Sequence, residues 1–575
     1  MLGGGAGHAP APEEAAMRTN THRGTVKNMA PRRLGKHSWL PIATAGYLFA
    51  ASCLHQAAAQ KNAWTWIGGN TASNQPGNYG TLGKSAAANL PPARWSAASW
   101  IDKDGNLWLF GGSGYDPVTG GVGTMTNDLW EYSPFLKQWT WMGGSKIAEA
   151  RIHGVYGTRG EPGKANTPGA RTGAVSWTDK NGNFWLFGGG GYDAMGHVGD
   201  LNDLWRYSPS THQWTWICGS ATVEPKSSRP GLYGTLGVFT RENVPGAREQ
   251  SVSWKDSAGN LWLFGGTGND ADANVGALND LWEYRPDINE WAWMGGSEKA
   301  SKSVGWPGVY GIRGAHTPGI NPGSRSESAA WTDETGDLWL FGGGGYDKSD
   351  SPANLNDLWE FSQSIKAWIW QGGSDISLGC SKNNSPILDC KGQPGIYGKL
   401  GEPADGNTPG GRAGAVAWKD ANGNFWLFGG QGFDSAGNRG SLNDLWEFNP
   451  HTHFWTWFGG SSTESGCRFI PAGVTFCEGR PGEYGAKGVP DPASHPGART
   501  EAAAWVDKQR NLWLFGGYGM DSLGKQMGVL NDLWEYQQSP AANTPLEKPR
   551  STPSPSPPPK PKRPPPSAPP AQPPQ

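Results

Sequence analysis

The segment W-L-F-G-G occurs six times, with its tryptophan at positions 108, 185, 262, 339, 426 and 513, at intervals of 77, 77, 77, 87 and 87 residues. A second segment, N-D-L-W, follows each copy and begins at Asn127, Asn202, Asn279, Asn356, Asn443 and Asn531. A long fixed period assembled from strand-like pieces means a repeat architecture, in which each copy buries its faces against its neighbours. Each unit resolves into four strands. In the first, strand a is A-R-W-S-A-A-S-W (93 to 100), and a D-K-D-G-N turn leads to strand b, L-W-L-F-G-G (107 to 112). Strand c is N-D-L-W-E-Y (127 to 132) and strand d is Q-W-T-W-M-G-G (138 to 144). Large and small residues alternate with period two, and the glycine pairs read as sharp turns. Four-stranded sheets set radially make an all-β propeller, here with six blades.

The count of strands leaves a fragment at each end. K-N-A-W-T-W-I-G-G-N (61 to 70) is a strand d with no a, b or c before it, whereas the last unit, Arg499 to Tyr536, has a, b and c but no d. The two fragments are expected to complete one blade, so that the N-terminal strand closes the ring and no sheet edge is left to aggregate.

With an arginine opening strand a, a hydrophobic-Gly-Gly strand b, N-D-L-W-x-[YF] as strand c and a tryptophan in strand d, the chain resembles the kelch-repeat family over roughly residues 61 to 537. The resemblance implies a propeller that binds partners, a few relatives being enzymes. A second tryptophan in each strand d and very long d-to-a connections depart from the common pattern.

The segments flanking the repeats have other roles. From Met29, a basic start (Arg32, Arg33, Lys36), an apolar run from Trp39 to Leu54 and the small residues Ala57-Ala58-Ala59 describe a secretory signal peptide over 29–59. Residues 1–60 are thus read as a leader, 61–537 as the propeller and 538–575 as a disordered proline-rich tail of polyproline II character. The expected location is extracytoplasmic, whether secreted, periplasmic or cell-surface, with no transmembrane span in the mature form.

Composition narrows the function. A net charge of −2 supplies no basic footprint for nucleic acid. Of the 33 tryptophans, 30 recur identically in every unit, leaving Trp39, Trp95 and Trp306 outside the scheme. Residues needed in every blade read as packing between blades. Each hides ~150–250 Å², worth about 4 to 6 kcal/mol before entropy is counted.

Strand alternation puts the long d-to-a and b-to-c connections on one face and the short a-to-b and c-to-d turns on the other. The long-loop face is the expected binding surface. Its ligand-binding candidates are the six tyrosines of the recurrent x-G-x-Y-G pattern, Tyr79, Tyr156, Tyr233, Tyr310, Tyr397 and Tyr484. They are joined by the six arginines that open strand a, Arg94, Arg171, Arg248, Arg325, Arg412 and Arg499, as an anion-binding ring at the channel mouth. The alternative for the arginines is structural pairing with the N-D-L-W aspartates. A second recurrent acid (Asp116, Asp193, Asp270, Asp347, Asp434, Asp521) reads as a turn former.

Cys380–Cys390 and Cys467–Cys477 lie ten apart in the two longest d-to-a connections and are expected to form disulfides, which an exported context permits. Cys218 reads as a small buried residue. No histidine spacing suits a metal or the copper site of an oxidase with similar blades, so no metal or cofactor is expected. The expected function is that of a non-catalytic, monomeric scaffold binding a protein or glycan. The alternative is a carbohydrate-active enzyme, mutarotase- or epimerase-like, at the channel mouth, although catalysis would require asymmetry between units, of which the repeats show little.

Overall fold

The computed structural model describes residues 62–116, 120–146, 152–223, 229–300, 305–378, 392–469 and 475–538. The leader, the tail and the Cys380–Cys390 pair lie outside them. The described residues are all-β, and each repeat forms a small antiparallel assembly in the order a-b-c-d, an arrangement that fits a β-propeller. In the third repeat, strand a is Arg248–Glu249 continued by Val252–Lys255, b is Leu261–Asn269, c is Val275–Arg285 and d is Glu290–Gly295.

Strand a is not continuous, because one residue in it takes a left-handed backbone: Ser96, Gly173, Gln250, Glu327, Gly414 and Glu501, with φ between 51° and 65°. That conformation turns the N–H and C=O out of the a–b ladder, and both groups need partners elsewhere. They find them in the neighbouring repeats. Gly173 donates to the carbonyl of Ser96, Gln250 to Gly173, Glu327 to Gln250, Gly414 to Glu327, Glu501 to Gly414 and Ser96 to Glu501, at 2.8–3.1 Å.

The glycine pairs are bulges, not the sharp turns read from sequence. Strands b and c continue past them as one hairpin, and the register slips between Phe264 and Gly266. Gly265 and Gly266 have φ of 61° and 93°. A Cβ on Gly265 would stand 2.6 Å from the Arg325 carbonyl of the next repeat, so the kink lets adjacent repeats approach.

Ala63–Gly68 pairs antiparallel with Met527–Gln537, placing Trp64 opposite Tyr536 and Trp66 opposite Trp534. The core lies between repeats. Each strand-a tryptophan donates its indole N–H to the backbone carbonyl of the strand-b tryptophan in another repeat: Trp100 to Trp185, Trp177 to Trp262, Trp254 to Trp339, Trp331 to Trp426, Trp418 to Trp513 and Trp505 to Trp108. The first tryptophan of strand d packs on a strand-b phenylalanine of the adjoining repeat, as Trp214 does on Phe110 at 5.2 Å and Trp64 on Phe428 at 5.4 Å.

The long d-to-a connections double back over the outer edge of strand d. Gly83, Gly160, Gly237, Gly314, Gly401 and Gly488 donate to the carbonyls of Trp141, Trp216, Trp293, Trp370, Trp457 and Trp66. Much of their length therefore protects strand edges that would otherwise be open.

Candidate functional site

The six arginines are 0–1% exposed, and each sits in the same buried cluster. The Arg248 guanidinium donates bidentately to Asp280, at 2.7 and 2.8 Å, and also to the carbonyls of Gly265 and Gly246. Tyr233 Oη and Trp282 Nε1 both donate to Asp280 Oδ2 at 2.7 Å. The same set recurs as Arg94–Asp128 with Tyr79, Arg171–Asp203 with Tyr156, Arg325–Asp357 with Tyr310, Arg412–Asp444 with Tyr397 and Arg499–Asp532 with Tyr484. Burial first, and then the neighbouring aspartate, hold the tyrosine phenols far above their ordinary range, so they remain neutral donors. A buried guanidinium needs a carboxylate and nearly all its N–H groups matched. Four of its five donors are spent in this way, which places the arginines and tyrosines in the frame, as the Arg–Asp alternative supposed.

The positions beside these clusters differ from repeat to repeat. Next to each arginine stand Trp95, Thr172, Glu249, Ser326, Ala413 and Thr500, and after them Ser96, Gly173, Gln250, Glu327, Gly414 and Glu501, the residues that carry the cyclic backbone bonds. On one side Trp95 meets Tyr518 edge-on, ring centroids 5.8 Å apart. Elsewhere the acids gather. Burial, then Glu249, pushes Glu327 up to about 7; burial, then Glu327 and Glu249, pushes Glu501 up to about 8. Burial and then Glu249 raise Asp200 to about 6. One carboxyl oxygen of Glu501 is buried without a hydrogen-bonding partner. This set of aromatic and acidic side chains beside the clusters was not read from sequence. The signal was available in two adjacent columns, where the six aligned repeats carry six different residue pairs.

The recurrent acid after strand b is a turn former. Asp270 accepts from the backbone of Asp272 and Asn274 and, across the connection, from Ala300, and Asp193, Asp347 and Asp434 do the same in their repeats. Cys467 and Cys477 are bridged, and the bridge closes the hairpin Cys467–Phe469 with Thr475–Cys477. The second strand of that hairpin runs parallel beside Arg439–Asn449, at the start of strand c of the fifth repeat. Beneath the hairpin neck, Glu464 is 7% exposed with both carboxyl oxygens unpartnered, and burial, followed by Asp444 and Asp434, raises it to about 8. Cys218 is half-buried and free, its thiol pushed up to about 11 by burial. Among the described residues no group of three His, Cys, Asp or Glu side chains is placed to hold a metal ion, and no helix is long and apolar enough to cross a membrane.

No family model matches the chain, and no curated protein matches it. Among solved structures it is similar to that of YjhT, at 13% sequence identity and a TM-score of 0.40, over 77% of this chain and 95% of that one.

Proposed function

We propose that this chain is an exported six-bladed propeller of kelch type, closed by Ala63–Gly68, that binds a protein or glycan on its long-loop face and performs no chemistry of its own. Closure is supported by the pairing of that strand with Met527–Gln537, and by two cyclic series of hydrogen bonds, backbone and indole, that each return to the first repeat. Export is supported by the signal-like leader and by the Cys467–Cys477 bridge.

One contrast carries the binding reading: six identical clusters consume their own polar groups, while the positions beside them hold Trp95, Tyr518, Glu249, Glu327 and Glu501. Aromatic rings and carboxyl groups at such positions suit the C–H faces and hydroxyls of a glycan, or a basic side chain of a protein. A glycan array and a pull-down with wild type and Trp95→Ala test this. Retained binding in the variant would overturn the mouth as the site.

A second reading, a carbohydrate-active enzyme of mutarotase or epimerase type, is favoured by the raised Glu327 and Glu501, since carboxyl groups that exchange protons near neutral pH suit general acid–base work. Glu501→Gln separates the two: turnover lost with binding kept supports the enzyme, and absence of turnover in wild type supports the scaffold.

A further inference from the structure

Five of the six strands c read N-D-L-W-E, placing Glu131, Glu283, Glu360, Glu447 and Glu535 on the short-turn side. These glutamates are half-buried or buried, and several find amide donors: Asn424 Nδ2 to Glu447 and Asn511 Nδ2 to Glu535, both at 2.7 Å. The second repeat alone reads N-D-L-W-R. Its Arg206 lies over the Trp185 ring, 5.9 Å from the centroid, and among the described residues no carboxylate comes within ion-pair distance of it. Asp179, in the lining shared with Arg206, is already committed: it accepts from the backbone of Asn181 and Asn183, from Asn183 Nδ2 and from Trp185 Nε1.

Arg206 opens into a cleft of about 430 Å³ between the second and third repeats, whose charged lining is Lys180, Arg206, Arg285, Asp179 and Asp287. Arg285 is paired outside the lining with Glu283 at 3.1 Å. The equivalent cleft one repeat earlier, about 330 Å³, is lined by Asp102, Asp104 and Glu131 against Lys103, with His212 at its rim. The two clefts differ at several lining positions, Glu131 against Arg206, Asp104 against Asn181 and Ser210 against Asp287 among them, and the later cleft holds a guanidinium with no ion-pair partner among the described residues. Arg206 is half-buried, and an arginine held over an aromatic ring with no ion-pair partner suits a carboxylate or sulfate, because its planar fork is already oriented.

We propose that this cleft binds an acidic sugar, with its anionic group on Arg206 and its hydroxyls among the polar side chains around it. The site is on the face opposite the axial mouth and stands whether or not the mouth binds anything. The test is titration of the full chain with glucuronate, glucose and inorganic sulfate, followed by NMR or calorimetry. The expected result is saturable glucuronate binding, weaker binding of sulfate, and none of glucose. Arg206→Glu restores the residue that five other repeats carry, so it should fold with an unchanged melting curve while losing glucuronate affinity roughly tenfold or more. Arg206→Gln should fall between. No saturable glucuronate binding by wild type, equal binding of glucose, or an Arg206→Glu variant that binds like wild type would each overturn the proposal.

Discussion

Arg248 is buried, spends its guanidinium on Asp280 and two carbonyls, and has an identical counterpart in every repeat, whereas Glu249, the next residue, has none and acts electrostatically on the acids Glu327 and Glu501. The two differ in what constrains them. A buried charge admits one solution, and the same backbone repeated six times demands the same solution six times. A position beside the cluster, such as Glu249, meets a different neighbour in each repeat and is released from that demand. Repetition therefore marks the frame, and its failure marks the positions the frame does not dictate.

The largest effect should come from breaking a cluster. Asp280→Ala strands a buried guanidinium and two further donors, and is expected to cost about 3–5 kcal/mol, read by denaturant unfolding. The equivalent change at Asp357 should cost about the same, and a loss under ~1 kcal/mol in either would break the comparison. Next, Trp64→Ala should match Trp214→Ala at about 3–5 kcal/mol, because both tryptophans make the same contact with a neighbouring phenylalanine. A much smaller cost at Trp64 would mean that the N-terminal strand is dispensable. Reducing Cys467–Cys477 should loosen its own hairpin by ~2–3 kcal/mol in the loop-closure account, visible as faster amide exchange over 465–469 and 475–479 with little change in global melting.

The clustered acids Glu327 and Glu501 give a pH signature of the opposite sign from an ordinary ion pair. Glu327 and Glu501 hold protons in the fold up to about 7 and 8, against an ordinary 4.5, so between about pH 4.5 and 8 the folded state binds protons that the unfolded chain has released. Their contribution to stability is fully present below that window and is lost as pH rises through it. Glu501→Gln should therefore stabilise the protein at pH 8 and leave it nearly unchanged at pH 4, measured as melting temperature across pH. No difference at pH 8 would show that the carboxyl is solvated. The smallest effect on stability belongs to Thr172→Ala, within about 0.5 kcal/mol, against a loss of binding if the mouth is the site.

The period, the four strands per repeat, the shared packing role of 30 tryptophans and the Arg–Asp alternative were legible because each rests on local pattern repeated six times. The discontinuity of strand a was not, since Ser96, Gln250, Glu327 and Glu501 carry no residue preference for a left-handed backbone. The glycine bulges were misread as turns because positive φ serves both, and only the ladder on either side distinguishes them. The edge-covering job of the long connections was hidden because their partners, the strand-d carbonyls, lie about 50 residues away, as Trp139 does from Asn89.

Sequence alone decided that this chain repeats a four-stranded unit, since alternation and turn residues act over a few positions. Tertiary structure alone decided which polar groups are consumed and which are left over. Whether Arg248 or Arg206 finds a carboxylate depends on distances between segments that no local pattern encodes, and the free energy of burying a charge makes that difference large.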